Sequence, residues 1–115
     1  MFSRKDMPMD RAQLIASIES GRQLGVRRYM DIGGTHISYT YAIQKLNGRY
    51  IVFVDEYDVD RYYENELEDT EIVTVYDTLD DFFDNFITKY DVTPEDFCKS
   101  KGNKYFNAEF YRHLT

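Results

Sequence analysis

Residues His36–Tyr57 read HISYTYAIQKLNGRYIVFVDEY, and this stretch decides the fold. Asn47-Gly48, at its centre, supplies two residues that tolerate positive φ, as a two-residue type I′ hairpin turn requires. The flanking side chains alternate with the period of a strand, with Ile37, Tyr39, Tyr41 and Ile43 on one face before the turn, and Ile51 and Phe53 opposite Tyr50, Val52 and Val54 after it. The stretch therefore predicts two antiparallel strands, His36–Leu46 and Arg49–Tyr57.

The segment before this hairpin is predicted to add a strand and a helix. Val26–Ile32 has the composition of a strand, and Gly33-Gly34 after it marks a turn. Farther upstream we expect a helix over Met9–Ser20, with Asp10 or Asp6 as its N-cap. The apolar stripe of this helix comprises Leu14, Ile15 and Ile18.

The segment after the hairpin is predicted to hold one more strand and then helices. Glu71–Tyr76 reads as a strand, and Thr78 is typical of a helix N-cap, with Asp81 three residues later. Thr93-Pro94 predicts the start of a short helix that ends near Gly102. The longer helix after Thr78 carries a broad apolar stripe of Leu79, Phe82, Phe83, Phe86 and Ile87.

Two segments have a less regular pattern. Asp58–Thr70 is acidic, and we expect a loop, a short helix around Tyr62–Leu67, or both. The aromatic residues after Lys104 predict that the end of the chain docks on the rest of the domain, as a helix from Asn107 or without one.

These elements predict an α+β fold in a single domain covering residues 1–115. We expect an N-terminal helix, a three- to four-stranded antiparallel sheet, and C-terminal helices packed on one face of that sheet. A chain of 115 residues can bury a core of its own without disulfides.

The cysteine content indicates a reducing compartment, and the hydropathy predicts neither a secretory signal nor a membrane span. Cys98 is the single cysteine of the sequence, so no internal disulfide can form. The basic residues near the N-terminus are not followed by the apolar segment of a secretory signal, and no run approaches the roughly 20 apolar residues of a membrane span. We therefore expect a cytoplasmic protein with no membrane partner.

Negative charge is concentrated in the middle of the chain. The formal net charge is −7, and 13 of the 21 acidic residues lie between Asp55 and Asp84, where Arg61 is the only basic residue. Such a segment repels nucleic acid and attracts basic partners. An alternative is that the acids form a solvated face that keeps the protein soluble. The tyrosines among them favour an interface, because aromatic rings are common anchors of protein–protein contacts.

Histidine and cysteine are too sparse to predict a catalytic or metal site. His36, His113 and Cys98 do not have the spacing of zinc ligands. We expect His36 to be an ordinary strand residue and Cys98 to be a buried structural thiol, although a helix N-terminus near Thr93-Pro94 could lower the pKa of a thiol.

Known phosphate and calcium motifs are also missing from the sequence. Gly33-Gly34 fits neither glycine-rich phosphate pattern, and Asp55, Asp58 and Asp60 are not followed by the glycine of a calcium loop. The sequence thus predicts no catalytic residue, no metal and no cofactor, and we expect that the protein is not an enzyme. Arg27-Arg28 with Tyr29 could contact RNA, but the acidic pI of about 4.7 argues against a nucleic-acid partner.

The acidic, tyrosine-rich stretch DEYDVDRYYE (Asp55–Glu64), together with the acidic helix start at Asp77–Asp84, resembles the small immunity proteins of bacterial toxin/immunity pairs, including those of contact-dependent growth inhibition. The resemblance covers the character of the whole chain and includes no signature motif. It implies an antitoxin-like inhibitor that binds and blocks a basic toxin, typically a nuclease domain, because an acidic surface can occupy a site built for phosphates.

The hypothesis places the partner-binding surface in the acidic stretch after the central hairpin. Its residues are Asp55, Glu56, Tyr57, Asp58, Asp60, Tyr62, Tyr63, Glu64, Glu66 and Asp69.

Three alternatives use the same sequence differently. One is a nucleic-acid mimic that inhibits a host enzyme, and another is an oligomer-forming module with an exposed strand edge. The third is a small ligand-binding or enzymatic domain with a pocket between sheet and helices, lined by Tyr39, Tyr41 and His36.

Overall fold

The structure is a computed structural model that describes residues 9–61, 71–99 and 104–115. Within these ranges the strands are β1 (Leu24–Ile32), β2 (Thr35–Leu46), β3 (Arg49–Asp58), β4 (Glu71–Tyr76) and β5 (Cys98–Lys99). They form an antiparallel sheet in the order β4-β3-β2-β1-β5. The α+β class predicted from the sequence is confirmed, with a slightly higher strand count.

Two longer helices and several 3-10 turns accompany the sheet. Helix α1 spans Arg11–Glu19. Helix α2 is α-helical over Leu79–Phe82, π-helical over Phe83–Ile87 and α-helical again over Thr88–Tyr90. The 3-10 segments are Val59–Arg61, Pro94–Asp96 and Ala108–Leu114, and the last of these is called the C-terminal helix.

Tight turns fix the register of the three central strands. Asn47 and Gly48 have φ angles of 53° and 76°, and Gly33 and Gly34 have φ angles of 58° and 86°. Positive φ at both central residues is what a type I′ turn needs. The turns are closed by the pairs Leu46↔Arg49 and Ile32↔Thr35. The prediction of a hairpin at Asn47-Gly48 is confirmed.

One face of the sheet, called the Tyr41 face, packs against α1 and α2. Asp10 caps α1 by accepting a hydrogen bond from the Gln13 N–H at 2.8 Å, and Thr78 caps α2 by accepting one from the Asp81 N–H at 3.1 Å. Each fully buried large apolar side chain contributes about 1.5–3 kcal/mol relative to exposure. The core on this face includes Leu14, Ile18, Leu24, Val26, Tyr41, Ile43, Val52, Val54, Phe82, Phe83 and Phe86.

The opposite face, called the Phe53 face, is covered over part of its area by the C-terminal helix and the residues before it. The rings of Phe53 and Phe106 stack with centroids 5.2 Å apart and planes 3° apart. Ala42 and Ile51 join the same cluster. A Cβ atom at Gly25 would lie 2.8 Å from the Tyr105 ring, so the close seating of that ring requires glycine. The expectation that the C-terminal helices share one face therefore holds for α2 and is wrong for the C-terminal helix.

The segment after Thr93 begins as predicted and then departs from the prediction. Thr93 and Asp96 form a capping box, but the helical part is limited to Pro94–Asp96. Phe97 then has extended backbone angles and is 2% exposed in the core. Cys98–Lys99 pairs with Leu24 and Gly25 of β1. Because strand pairing and burial of Phe97 override the local helix signal, the predicted helix is wrong at these positions.

The exposure of Cys98 also corrects a prediction. Its thiol was expected to be buried, but it is exposed, because the short strand β5 lies at the edge of the sheet. The possible helix around Tyr62–Leu67 and the predicted helix end at Gly102 lie outside the described residues. In the described part of the chain, none of the helices has the length and hydropathy needed to span a bilayer.

Candidate functional site

Beyond the C-terminal helix, the Phe53 face carries polar and aromatic side chains. The strand register aligns Thr40, Asp55 and Glu71 in one row across β2, β3 and β4. The next row aligns Tyr29, Ser38 and Tyr57 across β1, β2 and β3. The surface formed by Tyr29, Asp55, Tyr57, Asp60 and Glu71 is called the open face.

His36 joins the tip of the β1–β2 hairpin to the Val59–Arg61 turn. Its Nδ1 lies 2.7 Å from a carboxylate oxygen of Asp60, and its Nε2 lies 3.4 Å from one of Asp31. The ring of Tyr29 stacks on it with centroids 5.8 Å apart. The hydrogen bond with Asp60 raises the pKa of His36 above its usual value, and Asp31 raises it further. This cluster fixes the position of Asp60 on the Phe53 face.

Strand alternation divides the predicted partner-binding residues between the two faces. Asp55 and Tyr57 share the Phe53 face, whereas Glu56 and Asp58 point to the Tyr41 face, because successive side chains of a strand alternate. Asp60 joins Asp55 and Tyr57 through its contact with His36. The structure thus brings these three residues together.

Glu56 and Asp58 have local structural contacts instead. Glu56 accepts a hydrogen bond of 3.0 Å from the Tyr41 hydroxyl. Burial raises the pKa of Tyr41, and its bond to Glu56 raises it further. Asp58 accepts a bond of 3.0 Å from the Asp60 N–H and so shapes the turn after β3. The other predicted site residues, Tyr62, Tyr63, Glu64, Glu66 and Asp69, lie outside the described residues.

The acidic start of α2 lies at the opposite end of the sheet from the open face. Asp77 follows β4, whose last residue Tyr76 pairs with Tyr50 beside the Asn47-Gly48 turn. The Asp77 carboxylate is 3.2 Å from Nε of Arg49 in the same region. Asp80, Asp81 and Asp84, exposed in the first two turns of α2, belong to this end. The carboxylates counted together in the sequence therefore form at least two separate groups.

Three apolar residues near the hairpin tip are exposed, and of these the sequence pointed to a contact role for Tyr29 alone, in a possible RNA contact. Tyr29 is 64% exposed, Met30 is 44% exposed and Ile32 is 52% exposed. The sequence signal was an apolar run on both faces of a strand that ends at Gly33-Gly34. Apolar residues on both faces of a strand normally indicate burial on both faces, so this pattern by itself does not predict the exposure that the structure shows. Exposed large apolar groups next to carboxylates are typical of a protein-binding surface.

A groove next to Glu71 was also missed. It has a volume of about 270 Å³ and lies between the Phe53 face and the C-terminal helix. Phe110, at its rim, is 75% exposed. The sequence signal was the aromatic content after Lys104, which predicts that this segment docks on the domain but does not predict the shape of the contact. Its lining includes Phe53, Glu71, Tyr105, Phe106, Phe110 and Tyr111.

The pocket considered from the sequence, with Tyr39, Tyr41 and His36 in its walls, is not formed. His36 lies on the Phe53 face and the two tyrosines lie on the other, because Tyr39 and Tyr41 are three and five positions after His36 along β2 and each single step reverses the face. Between sheet and helices the space is filled by rings. Tyr41 lies 5.8 Å from Phe86 between centroids, and Phe86 lies 4.7 Å from Tyr90.

The basic pair considered for RNA contact is divided in the same way. The Arg27 guanidinium lies over the Tyr105 ring, 4.4 Å from its centroid, on the Phe53 face. Arg28 lies on the other face and forms an ion pair of 2.7 Å with Asp96. The two residues therefore do not form one basic patch.

Within the described ranges, no group of three or more His, Cys, Asp or Glu side chains is arranged to hold a metal ion. No family model, curated protein or solved structure matches this chain.

Proposed function

We propose that this protein is an immunity-type inhibitor that binds a basic bacterial toxin, such as a nuclease domain, through the open face. The observation that carries the proposal is the presence of Asp55, Asp60 and Glu71 beside the rings of Tyr29 and Tyr57 at one end of the sheet. Carboxylates attract a basic partner, and phenol rings are common at the centre of protein–protein contacts.

In this proposal the carboxylates affect the rate of association, and the aromatic rings affect the rate of dissociation. Carboxylates accelerate the encounter with a basic surface, since opposite fields steer diffusion. Tyr29, which is 64% exposed, can be buried on contact and so contributes to a slow dissociation. A nuclease site holds phosphate oxygens with basic side chains, and the carboxylates of the open face can occupy the same positions.

The position of the acids also supports the open face over α2 as the contact surface. The exposed acids at the start of α2 have favourable interactions with the helix dipole, which explains them without a partner. Asp55 lies in a strand, where no helix dipole acts, and Asp60 lies in the short 3-10 segment Val59–Arg61, where His36 holds it. Tyr29 and Tyr57 are near these two acids.

The test compares charge reversal at the two acidic groups. The partner is first captured by affinity purification from the native host and identified by mass spectrometry, and its binding is then followed by stopped-flow fluorescence. We expect Asp55→Lys to reduce the association rate about tenfold at 50 mM salt, and Tyr29→Ala to increase the dissociation rate. Asp84→Lys, which changes the net charge equally, serves as the control. An equal effect of Asp55→Lys and Asp84→Lys would show that only the total charge matters and would contradict the site.

A further inference from the structure

The Tyr41 face extends past its helices at the end of the sheet that holds the β1–β2 turn. The first three residues of β1 are buried, whereas its last four are exposed. Among these, Met30 is 44% exposed and Ile32 is 52% exposed. Met30 pairs with Ile37 of β2, which lies two positions from Tyr39 on the Tyr41 face. The surface formed by Met30, Ile32, Ile37 and Tyr39 is called the outer patch.

Negative charge borders the outer patch along β3. The register places Glu56 and Asp58 in the same rows as the β2 residues of the patch, and therefore on the same face. Both carboxylates already accept a hydrogen bond within the chain, so they act on a partner mainly through their charge. On the β1 side, the charge of Arg28 is balanced by its ion pair of 2.7 Å with Asp96. The outer patch is thus an apolar surface with an acidic border on one side.

A helix suits this surface better than an extended segment does. Within a sheet, the backbone groups of β2 are used by the strands on either side, so the face presents side chains. An extended segment lying on that face would leave its own N–H and C=O groups without partners, whereas a helix satisfies them internally. The other end of the same face already packs α1 and α2, so a further helix would continue an existing layer.

A second copy of this chain does not suit the outer patch. Its four side chains, of which Ile37 and Tyr39 are half-buried, offer far less than the roughly 800 Å² per partner that a standard interface buries. Two copies would also bring their acidic borders together, and each chain has a formal net charge of −7. A basic partner meets no such repulsion, and the open face on the reverse side of the same strands adds to the contact area.

We propose that the outer patch docks an amphipathic helix of the basic partner. The apolar side of this helix packs on Met30 and Ile32, and its lysine or arginine side chains lie toward the acids of β3. The inference rests on the proposed function for the basic character of the partner. It adds a second contact surface, so the partner holds the end of the sheet from both faces.

The experiment uses a peptide of defined chemistry and therefore needs no captured partner. The probe has about 14 residues, or about four helical turns, with leucine on one side of the helix and lysine on the other. Isotope-labelled protein is titrated with this peptide, and binding is followed by the amide signals of Met30 and Ile37. We expect it to bind roughly tenfold more tightly than a peptide of the same composition in scrambled order, because scrambling removes the apolar side but keeps the charge.

Substitutions in the outer patch locate the contact. We expect Met30→Thr and Ile32→Thr each to weaken peptide binding about fivefold, since each removes apolar area from the contact. Both positions are exposed and threonine favours strands, so the fold is retained. Ile72→Thr makes the same change at a 55% exposed position of β4, at the other edge of the sheet, and should leave binding unchanged.

Three results would overturn the proposal. One is equal binding of the scrambled peptide, or of a helix with glutamate in place of lysine. Another is peptide binding that neither Met30→Thr nor Ile32→Thr weakens. The third is a dimer, found by analytical ultracentrifugation of the protein alone, that Met30→Thr dissociates, because the outer patch would then be occupied by a second copy.

The outer patch and the proposed function can fail separately. If the peptide binds as expected while Asp55→Lys leaves association of the captured partner unchanged, the outer patch stands and the proposed function fails. If Asp55→Lys slows that association while Met30→Thr and Ile32→Thr change the binding of neither peptide nor partner, the outer patch alone is rejected.

Discussion

His36 lies between two carboxylates and an aromatic ring at the tip of the β1–β2 hairpin. The sequence predicted an ordinary strand residue, because Asp60 is 24 positions away and its approach depends on the turn after β3. The closer partner along the chain, Asp31, faces His36 directly across the hairpin. The structure therefore gives this histidine a role that spacing alone could not show: it fastens the hairpin tip to the Val59–Arg61 turn.

The pKa of His36 should depend more on Asp60 than on Asp31. A raised pKa means that the charged contact stabilises the fold fully below the unfolded value of 6.5 and is lost as the pH rises through the folded pKa. We expect Asp60→Asn to lower the pKa of His36, and Asp31→Asn to lower it less. The measurement is an NMR titration of the imidazole ring. An unchanged pKa in Asp60→Asn would show that this contact is not formed in solution.

The C-terminal helix is held to the sheet by a buried amide as well as by rings. Gln23 is 8% exposed, and its Nε2 donates to the Phe106 carbonyl at 2.8 Å and to Gln44 Oε1 at 2.9 Å. Its Oε1 accepts from the Tyr105 N–H at 2.6 Å and from the Phe106 N–H at 3.3 Å. One side chain thus satisfies backbone groups of the C-terminal segment that would otherwise be buried without partners.

Replacing this amide should loosen the C-terminal helix. We expect Gln23→Leu to lower the free energy of unfolding by about 2–4 kcal/mol, because buried backbone groups of Tyr105 and Phe106 lose their partner. Gln44→Leu removes a single one of these bonds and should cost about 1 kcal/mol. Urea denaturation of both variants gives the comparison. If both variants lose the same free energy of unfolding, the bonds from Gln23 to Tyr105 and Phe106 contribute nothing of their own, and the rings alone attach the C-terminal helix.

The sequence predicted well those elements whose structure depends only on residues close to them in the chain. Alternation and Asn47-Gly48 fixed β2, β3 and their turn, and Thr78 marked the start of α2 through its own hydrogen bond. The prediction failed where a distant partner decides the structure. Cys98–Lys99 follows a genuine capping box, yet becomes a strand because Leu24 and Gly25 offer an edge.

For the candidate site, the sequence likewise predicted the features that depend on nearby residues and not those that depend on distant ones. Composition located an acidic tyrosine-rich segment, and the strand assignment of β3 already implied that Asp55 and Glu56 point to opposite faces. The sequence did not show that Tyr29 lies in the row of Tyr57, because that requires the register of two hairpins. The groove depends on the stacking of Phe106 on Phe53, a contact between residues more than fifty positions apart.

At the scale of the whole molecule, the described acids between Asp55 and Asp84 lie mainly at two ends of the sheet. One group lies on the open face, and the other lies around the start of α2 beside the Asn47-Gly48 turn. The separation reduces repulsion between the groups, since fields in salt solution decay over about 8–10 Å. Under the proposed function, the open face with Tyr29 and Tyr57 provides the contact surface, and the other end contributes mainly charge.

Repulsion within each group should still make stability depend on salt. The net charge of −7 opposes compaction at neutral pH. We expect the melting temperature at pH 7 to rise by about 2–5 °C between 20 and 200 mM NaCl, as screening relieves this repulsion. Near pH 4.7, the sequence pI, the net charge vanishes and the increase should disappear. Circular dichroism melts at both pH values provide the measurement. An equal increase at both would trace the effect to salt acting on apolar burial, and the electrostatic account of the two acidic ends would then be wrong.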